Sequence, residues 1–384
     1  MKHLCCVIGA SVIAALITAC NGNGGVSAVP NAFERAHPAS KTGYKVLHRF
    51  QGGTDGELPA AGLAVMNGVL YGTTEYGGAA ASCTDIGIGC GTVFSITPSG
   101  KESVIYAFKG TPGNDGEVPY ASVLPVNGLL YGTTPGGGSP GPSACLCGVI
   151  FSVTLSGKET VVHYFGGGNA TDGSGPYSPL IAANGSLYGT TSGGGGCPRP
   201  SPSPCYEGTV FEITPSSGYQ IIHAFLPNSP DGTYPSNGGL FALGGTLYGT
   251  TITGGGSNVR DVCSYGYGLG CGTVFSVSYS GSESVIYRFR PKGNGGNSPV
   301  GGVILVNGML YGTTSEGGSH DCGDNKCGTI FEVSPSGTGY QVLHQFKGTK
   351  DGANPQAALI EVNGMLYGTT FFGGSRGPTC CGTV

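Results

Sequence analysis

The sequence predicts an all-β fold assembled from six like units, and three observations carry that prediction. The phrase Leu-Tyr-Gly-Thr-Thr occurs six times, with tyrosines at Tyr71, Tyr131, Tyr188, Tyr248, Tyr311 and Tyr367, spaced 56 to 63 residues apart. A fixed period of that length marks an architecture in which each unit hides its apolar face against the next. Around every copy stand short runs rich in Val, Ile, Tyr, Phe and Thr, bounded by Gly, Asn, Ser and Pro, which is how strands and tight turns read. Finally, 76 glycines and no Trp accompany a near absence of long amphipathic helical patterns.

Within one repeat the elements follow a constant order. An apolar run ends in a turn such as Asn127-Gly128, and the Leu-Tyr-Gly-Thr-Thr strand follows. Asn-Gly between apolar runs is a strong hairpin signal, because both residues tolerate the positive φ of a type I′ turn. A loop containing glycine and cysteine comes next. A third strand such as Thr92-Val93-Phe94-Ser95-Ile96, a turn such as Pro98-Ser99-Gly100 and a fourth strand such as Ser103 to Phe108 complete the unit. Each repeat is therefore a four-stranded antiparallel meander, the unit of a propeller blade. Packed face to face and closed into a ring, six such units give a six-bladed β-propeller without the exposed ends of an open stack. A β-solenoid is the competing architecture, but its coils are usually much shorter than this repeat.

The ends of the repeat region predict how the ring closes. Residues Tyr44 to Phe50 match the fourth strand of other repeats, for example Tyr340 to Phe346, and the last repeat lacks that strand. The N-terminal strand, Val46 to Phe50, is accordingly expected to ladder onto the final blade beside Thr383. Other repeats continue their third strand further than Gly382-Thr383-Val384 does, so six blades is a lower bound if the polypeptide extends beyond this sequence.

Residues 1–19 read as a signal peptide: Lys2 and His3 precede the apolar run Val7 to Ile17, which is too short to span a bilayer core needing about 20 residues. The run closes on Ile17-Thr18-Ala19-Cys20, which resembles the bacterial lipobox and by that resemblance implies acylation of Cys20. Asn21 after the cysteine implies, by the same resemblance, an outer-membrane lipoprotein of the cell envelope. Residues 20–42, rich in Gly, Asn, Ala, Ser and Pro, form a flexible tether, and 43–384 form the propeller.

Twelve cysteines remain beyond Cys5, Cys6 and Cys20, and they fall as six close pairs, one per repeat. These are Cys83 with Cys90, Cys145 with Cys147, Cys197 with Cys205, Cys263 with Cys271, Cys322 with Cys327, and Cys380 with Cys381. An even, paired set in an exported chain reads as disulfides. Closing a loop of roughly eight residues contributes about 2.5 kcal/mol in the chain-entropy model. The adjacent Cys380 and Cys381 need unusual backbone geometry and are read as a labile bond or as free thiols.

The train of L-Y-G-T-T, G-G and G-T-V-F elements, from about residue 43 to the end, resembles the bacterial GloVer tandem repeat (Gloeobacter/Verrucomicrobium type), whose members carry different anchors. That resemblance implies a repeat architecture and an anchored protein; it implies no activity and no catalytic residues.

Charged residues make up 10% of the chain, the net charge is −4, and the 17 Lys and Arg are scattered, which argues against nucleic acid as a partner. The connections between repeats read Asp-Gly-x-x-Pro, with Asp55, Asp115, Asp172, Asp231 and Asp351, while Gly295 takes the fifth place. One reading is a ring of carboxylates at the channel mouth holding Ca²⁺. The preferred reading is local: Asp caps its turn, Gly supplies positive φ and Pro opens the next strand. His48, His163, His223 and His344 share one position in the fourth strand, where Tyr106 and Tyr287 stand in other repeats, and are read as packing residues. His320, among Asp321, Cys322, Asp324 and Cys327, is a further metal candidate. No cofactor is predicted.

Two functions compete. The first is a surface module that binds, or acts as a scaffold for, a protein or glycan through the disulfide-pinned loops, which vary most between repeats, with a purely architectural role in the envelope as a further reading. The second is a propeller hydrolase or lyase with a metal at the channel mouth; the first strands, where such ligands would project, are apolar apart from Glu361. The binding module is the preferred reading, as a monomer attached to the membrane through its lipid.

Overall fold

The computed structural model describes residues 45–384 except 79–82, 84–88, 111–113, 139–146, 167–171, 196–206, 215–217, 227–229, 236, 257–262, 264–269, 291–294, 321, 323–326 and 375–381. The described residues contain strands, turns and short 3₁₀ segments and no α-helix. Five repeats each form the four-stranded antiparallel meander that the repeat predicts. Sheet 1 holds Ala64–Met66, Val69–Thr74, Thr92–Ile96 and Glu102–Ala107, paired in that order. Sheets 2 to 5 repeat the plan, with second strands at Leu129–Thr134, Ser186–Thr191, Thr246–Thr253 and Met309–Thr314. In sheet 6, Ile360–Val362 pairs with Met365–Tyr367, and an isolated bridge joins Thr370 to Thr383.

The hairpin between the first two strands turns as its sequence dictates. Asn127 and Gly128 have φ of 50° and 78°, and the repeat that lacks Asn uses Gly244 and Gly245 at 57° and 84°. Positive φ at both positions matches the twist of the flanking strands.

Each residue of Leu-Tyr-Gly-Thr-Thr has a separate reason to be there. The glycine lies opposite a phenylalanine of the third strand, as Gly72 opposite Phe94 and Gly249 opposite Phe275. A Cβ on Gly72 would fall 2.6 Å from Phe94 Cζ, so only glycine lets the ring lie across the strand. The first threonine ties sheet to sheet: Thr73 Oγ1 donates to Ala121 O at 3.1 Å and Thr133 Oγ1 to Ser178 O at 3.0 Å. The second ties strand to strand, with Thr74 and Thr92 hydroxyls 2.8 Å apart and Thr314 and Thr329 likewise at 2.8 Å.

The core is divided among the interfaces between consecutive sheets. Val93, Phe108, Leu130, Phe151 and Val153 are buried together between sheets 1 and 2, and Phe289, Val303, Leu310 and Phe331 between sheets 4 and 5. In the first four sheets the phenylalanine closing the fourth strand meets the third-strand phenylalanine of the next sheet, edge-on for Phe108 on Phe151 at 5.0 Å and Phe225 on Phe275 at 5.1 Å and tilted for Phe165 on Phe211 at 5.6 Å. Such edge contacts add to the area buried by two large rings.

The closing ladder is a point of correction. Residues 45–50 carry no strand, and the described residues show no backbone bond between them and Thr383, which pairs with Thr370 instead. A single bridge offers no row of donors and acceptors for a further strand to follow. The segment instead seats on sheet 1, where Leu47 and Phe50 pack on Leu70, Phe94 and Ile96, with Phe50 4.9 Å from Phe94. It thus takes the position that a preceding sheet's fourth strand occupies elsewhere. Ile360, Met365, Tyr367 and Phe371 of sheet 6 stand exposed.

Candidate functional site

The histidines and aspartates that the sequence shows as two separate series are partners. His48 Nε2 lies 3.1 Å from Asp55 Oδ1, His163 3.3 Å from Asp172, His223 3.3 Å from Asp231 and His344 3.1 Å from Asp351. Where tyrosine replaces histidine, Tyr106 donates its hydroxyl to Asp115 Oδ2 at 2.7 Å. A β-bulge aims these side chains. In all five complete sheets the ladder between third and fourth strands slips by one residue immediately before the His or Tyr, as between Val210 and Phe211 in sheet 3. The extra residue bends the strand and turns the next side chain toward the Asp of the connection.

Four of the aspartates also hold their own turns: Gln51 N–H donates to Asp55 at 2.8 Å, Lys109 N–H to Asp115 at 2.9 Å, Gly166 N–H to Asp172 at 3.0 Å and Lys347 N–H to Asp351 at 2.9 Å. These four carboxylates are therefore engaged locally, as the turn-capping reading requires, and the Asp231 carboxylate faces His223. Burial alone raises the Asp172 carboxyl, but the bond and charge of His163 and the amides of Gly173 and Gly166 outweigh it and hold the group below the usual carboxylate range.

A third residue, which the sequence reading missed, faces the first five of the six His or Tyr positions from the next sheet. It stands just after the turn that opens the fourth strand and is Glu102, Glu159, Tyr219, Glu283 or Tyr340. The tyrosines close their seams by stacking: Tyr219 lies 3.7 Å from His163 with a 9° interplanar angle, and Tyr340 lies 3.8 Å from Tyr287. Where Gly295 stands in place of Asp, Tyr340 donates to the Gly295 carbonyl. The glutamates behave differently, since Oε1 of Glu102, Glu159 and Glu283 is withdrawn from solvent without a hydrogen-bond partner. Burial, and then the charge of Asp115 or Asp231, pushes Glu159 and Glu283 up to about 7, with Lys109 or with His223 and Arg288 opposing. Glu102 is raised too, by burial and then by Asp55, against His48. The legible signal was the alternation of Glu and Tyr at one position of the repeat.

Cysteine pairing follows the repeat wherever both members are described. Cys83–Cys90, Cys263–Cys271 and Cys322–Cys327 are bonded, with Cα separations of 4.9, 5.2 and 5.1 Å. Cys147 is bonded as well. Cys20, Cys145, Cys197, Cys205, Cys380 and Cys381 lie outside the described residues, as do Asp321 and Asp324. The thiols beside His320 are consumed in their disulfide, and its Nδ1 lies 2.9 Å from Ser319 Oγ. Glu361 sits on an exposed first strand and accepts the Gly364 N–H, a local turn contact. Such disulfides mark an oxidising, extracytoplasmic compartment. No described helix is long and apolar enough to cross a membrane.

At the edge from which the connections and cysteine loops leave, the repeats diverge. The residue after the connection proline is Tyr in only two of the six repeats, Tyr120 and Tyr177, and these rings meet edge-on at 5.9 Å. Burial raises both phenols; the charge of Glu75 adds to the shift of Tyr120, and Tyr76 adds to that of Tyr177. Burial also raises Glu75. One edge of sheets 1 to 3 thus gathers three phenols and a half-buried carboxyl, a set able to stack on a ring and accept hydrogen bonds beside it.

A search among curated proteins finds no match to the sequence. Among solved structures, the chain resembles a gluconolactonase from Xanthomonas campestris at 12% identity and a TM-score of 0.38, over 70% of this chain and 71% of that one. It resembles a luciferin-regenerating enzyme at 13% identity and a TM-score of 0.44, over 83% and 84%. An oligogalacturonate lyase from Vibrio parahaemolyticus aligns at 10% identity and a TM-score of 0.40, over 73% and 68%. The pattern of the Gloeobacter/Verrucomicrobia repeat, in contrast, matches residues 22–263 and 257–384, and the chain belongs to that repeat family.

Proposed function

We propose that this protein is an exported, lipid-anchored carbohydrate-binding module, a six-sheet ring whose connection edge presents Tyr76, Tyr120, Tyr177 and Glu75 to a neutral glycan. The observation that carries this reading is the tyrosine and carboxyl cluster, because it is the place where a repeated scaffold departs from its own pattern. Tyrosine rings offer flat apolar faces for the C–H face of a sugar, and a carboxyl offers acceptors for its hydroxyls. Ring closure is supported by the seating of residues 45–50. A Cβ on Gly100 would meet Leu47 O at 2.7 Å, as one on Gly157 would meet Ile105 O at 2.6 Å, so the segment stands where a fourth strand stands in the other seams. Cys20 provides the anchor, with transfer to the outer membrane.

Binding is tested by a glycan array on the full mature protein, followed by calorimetric titration of the retained oligosaccharide. The expected outcome is selective retention, with Tyr120→Ala and Tyr177→Ala each weakening affinity about tenfold, as loss of one stacking contact implies. Absence of any retained glycan, or equal binding by the double variant, overturns the reading. Export is tested separately by labelling cells with radioactive palmitate: Cys20→Ser is expected to abolish incorporation.

A further inference from the structure

We propose that His48, Asp55 and Glu102 form a three-ligand site for a divalent transition cation of the zinc class, which clamps residues 45–55 onto sheet 1. The ligand atoms of these residues lie within 4.8 Å of one another, and no other trio of His, Cys, Asp and Glu among the described residues gathers so closely. His48 and Asp55 come from the segment before sheet 1, and Glu102 opens the fourth strand of that sheet, so a shared ion would bridge two parts of the chain.

Charge and hydrogen bonding both leave room for a cation. Two carboxylates face one imidazole in a partly buried seam, and Glu102 Oε1 is withdrawn from solvent with no partner to accept from. A buried acceptor left unmatched is costly, and a metal ion satisfies it directly. Gln51 N–H binds Asp55 Oδ2 at 2.8 Å and orients the carboxylate, as outer partners of metal ligands do. One imidazole and two carboxylates suit zinc-class ions; Ca²⁺ would want six to eight oxygens.

The other seams explain why the site is singular. Tyr106 replaces the imidazole beside Glu159, and Tyr219 replaces the glutamate beside His163. The seam of His223, Asp231 and Glu283 keeps all three residue types, but Arg288 acts on Glu283 there and supplies positive charge. The first seam also has the greatest need of a clamp. Residues 45–50 have no backbone ladder to hold them, whereas every other His or Tyr of the series belongs to a paired fourth strand.

The test uses the full mature protein, stripped with chelator and equilibrated with Zn²⁺. Calorimetric titration, with bound metal measured after desalting, is expected to show one equivalent on the native chain and none on His48→Ala or Glu102→Gln. Zn²⁺ should raise the melting temperature of the native chain and leave that of Glu102→Gln unmoved, and Co²⁺ should give the visible spectrum of a low-coordinate N/O site. Glu283→Gln and Tyr120→Ala, which alter other places, should each keep the full equivalent; glycan binding and metal binding therefore fail independently. Native chain that retains no metal after desalting, or His48→Ala and Glu102→Gln both folded by circular dichroism and still holding one equivalent, overturns the proposal.

Discussion

The seam between sheets 2 and 3 and the seam between sheets 3 and 4 begin alike, with a histidine 3.3 Å from an aspartate, and end differently. In the first, Tyr219 lies flat on His163 and also meets Phe165 and Phe211, so the pair is covered by an aromatic face. In the second, Glu283 brings another carboxyl to His223 and Asp231, and its buried oxygen finds no partner. One geometric slot thus accepts two chemistries. The ring covers the ion pair with contact area that is insensitive to pH. Burial and the charge of Asp231 push that carboxyl up to about 7, against His223 and Arg288.

Three substitutions or conditions break or sharpen that contrast. The largest effect is expected from Tyr219→Ala, which removes a ring stacked at 3.7 Å and opens the His163–Asp172 pair to water. Truncation of a packed aromatic costs about 3 kcal/mol or more, to be read as a lowered midpoint in urea unfolding. A midpoint unchanged from the native chain would mean that the stack contributes nothing.

The second expectation is a pH dependence. Glu159 and Glu283 titrate near 7 in the folded chain against an ordinary 4.5, so the native state binds protons more tightly than the unfolded chain between those values. Their contribution is complete below 4.5, declines as pH rises and is lost through 7. The melting temperature should therefore fall between about pH 4.5 and pH 7, the window those two values span, and fall less in the Glu159→Gln, Glu283→Gln double variant. Identical slopes in the two proteins would remove the glutamates from the account.

The smallest effect is expected from Glu283→Tyr, which offers His223 the partner His163 already has. A stacked pair adds roughly 0.5–1.5 kcal/mol beyond area burial, so this variant should match or slightly exceed the native stability and lose part of its pH dependence. Marked destabilisation would show that the two slots differ in shape as well as in occupant.

Much of the fold was legible because the repeat writes its local rules six times. Asn127-Gly128 announces its turn, and the nearness of Cys263 to Cys271 in sequence is enough to pair them. The seams were not legible in the same way. His48 and Tyr106 looked like packing residues of an amphipathic strand, and Asp55 and Asp115 like turn caps; both descriptions hold, and neither reveals that the two series meet. In the five complete sheets a bulge precedes the His or Tyr, and a one-residue slip leaves no mark in composition or spacing; His48 reaches Asp55 from a segment that is not a strand. Glu102 and Tyr219 were hidden for a related reason, since each contacts a residue roughly fifty positions earlier in the chain. The expected ladder of Val46 to Phe50 on Thr383 failed because resemblance to a fourth strand says where the segment packs, and a ladder also needs a paired third strand beside it.

By itself, then, the sequence determined the unit: the order of its strands, its turns, the close cysteine pairs where both members are described, and the apolar strands that neighbouring sheets cover. These depend on neighbours a few residues apart and on alternation along a strand, both of which are written linearly. Only the tertiary structure decided which unlike residues of successive repeats share a seam, and so which carboxyls are left buried and unpartnered. That outcome is set by how one sheet lies on the next, a relation between surfaces that no single repeat contains.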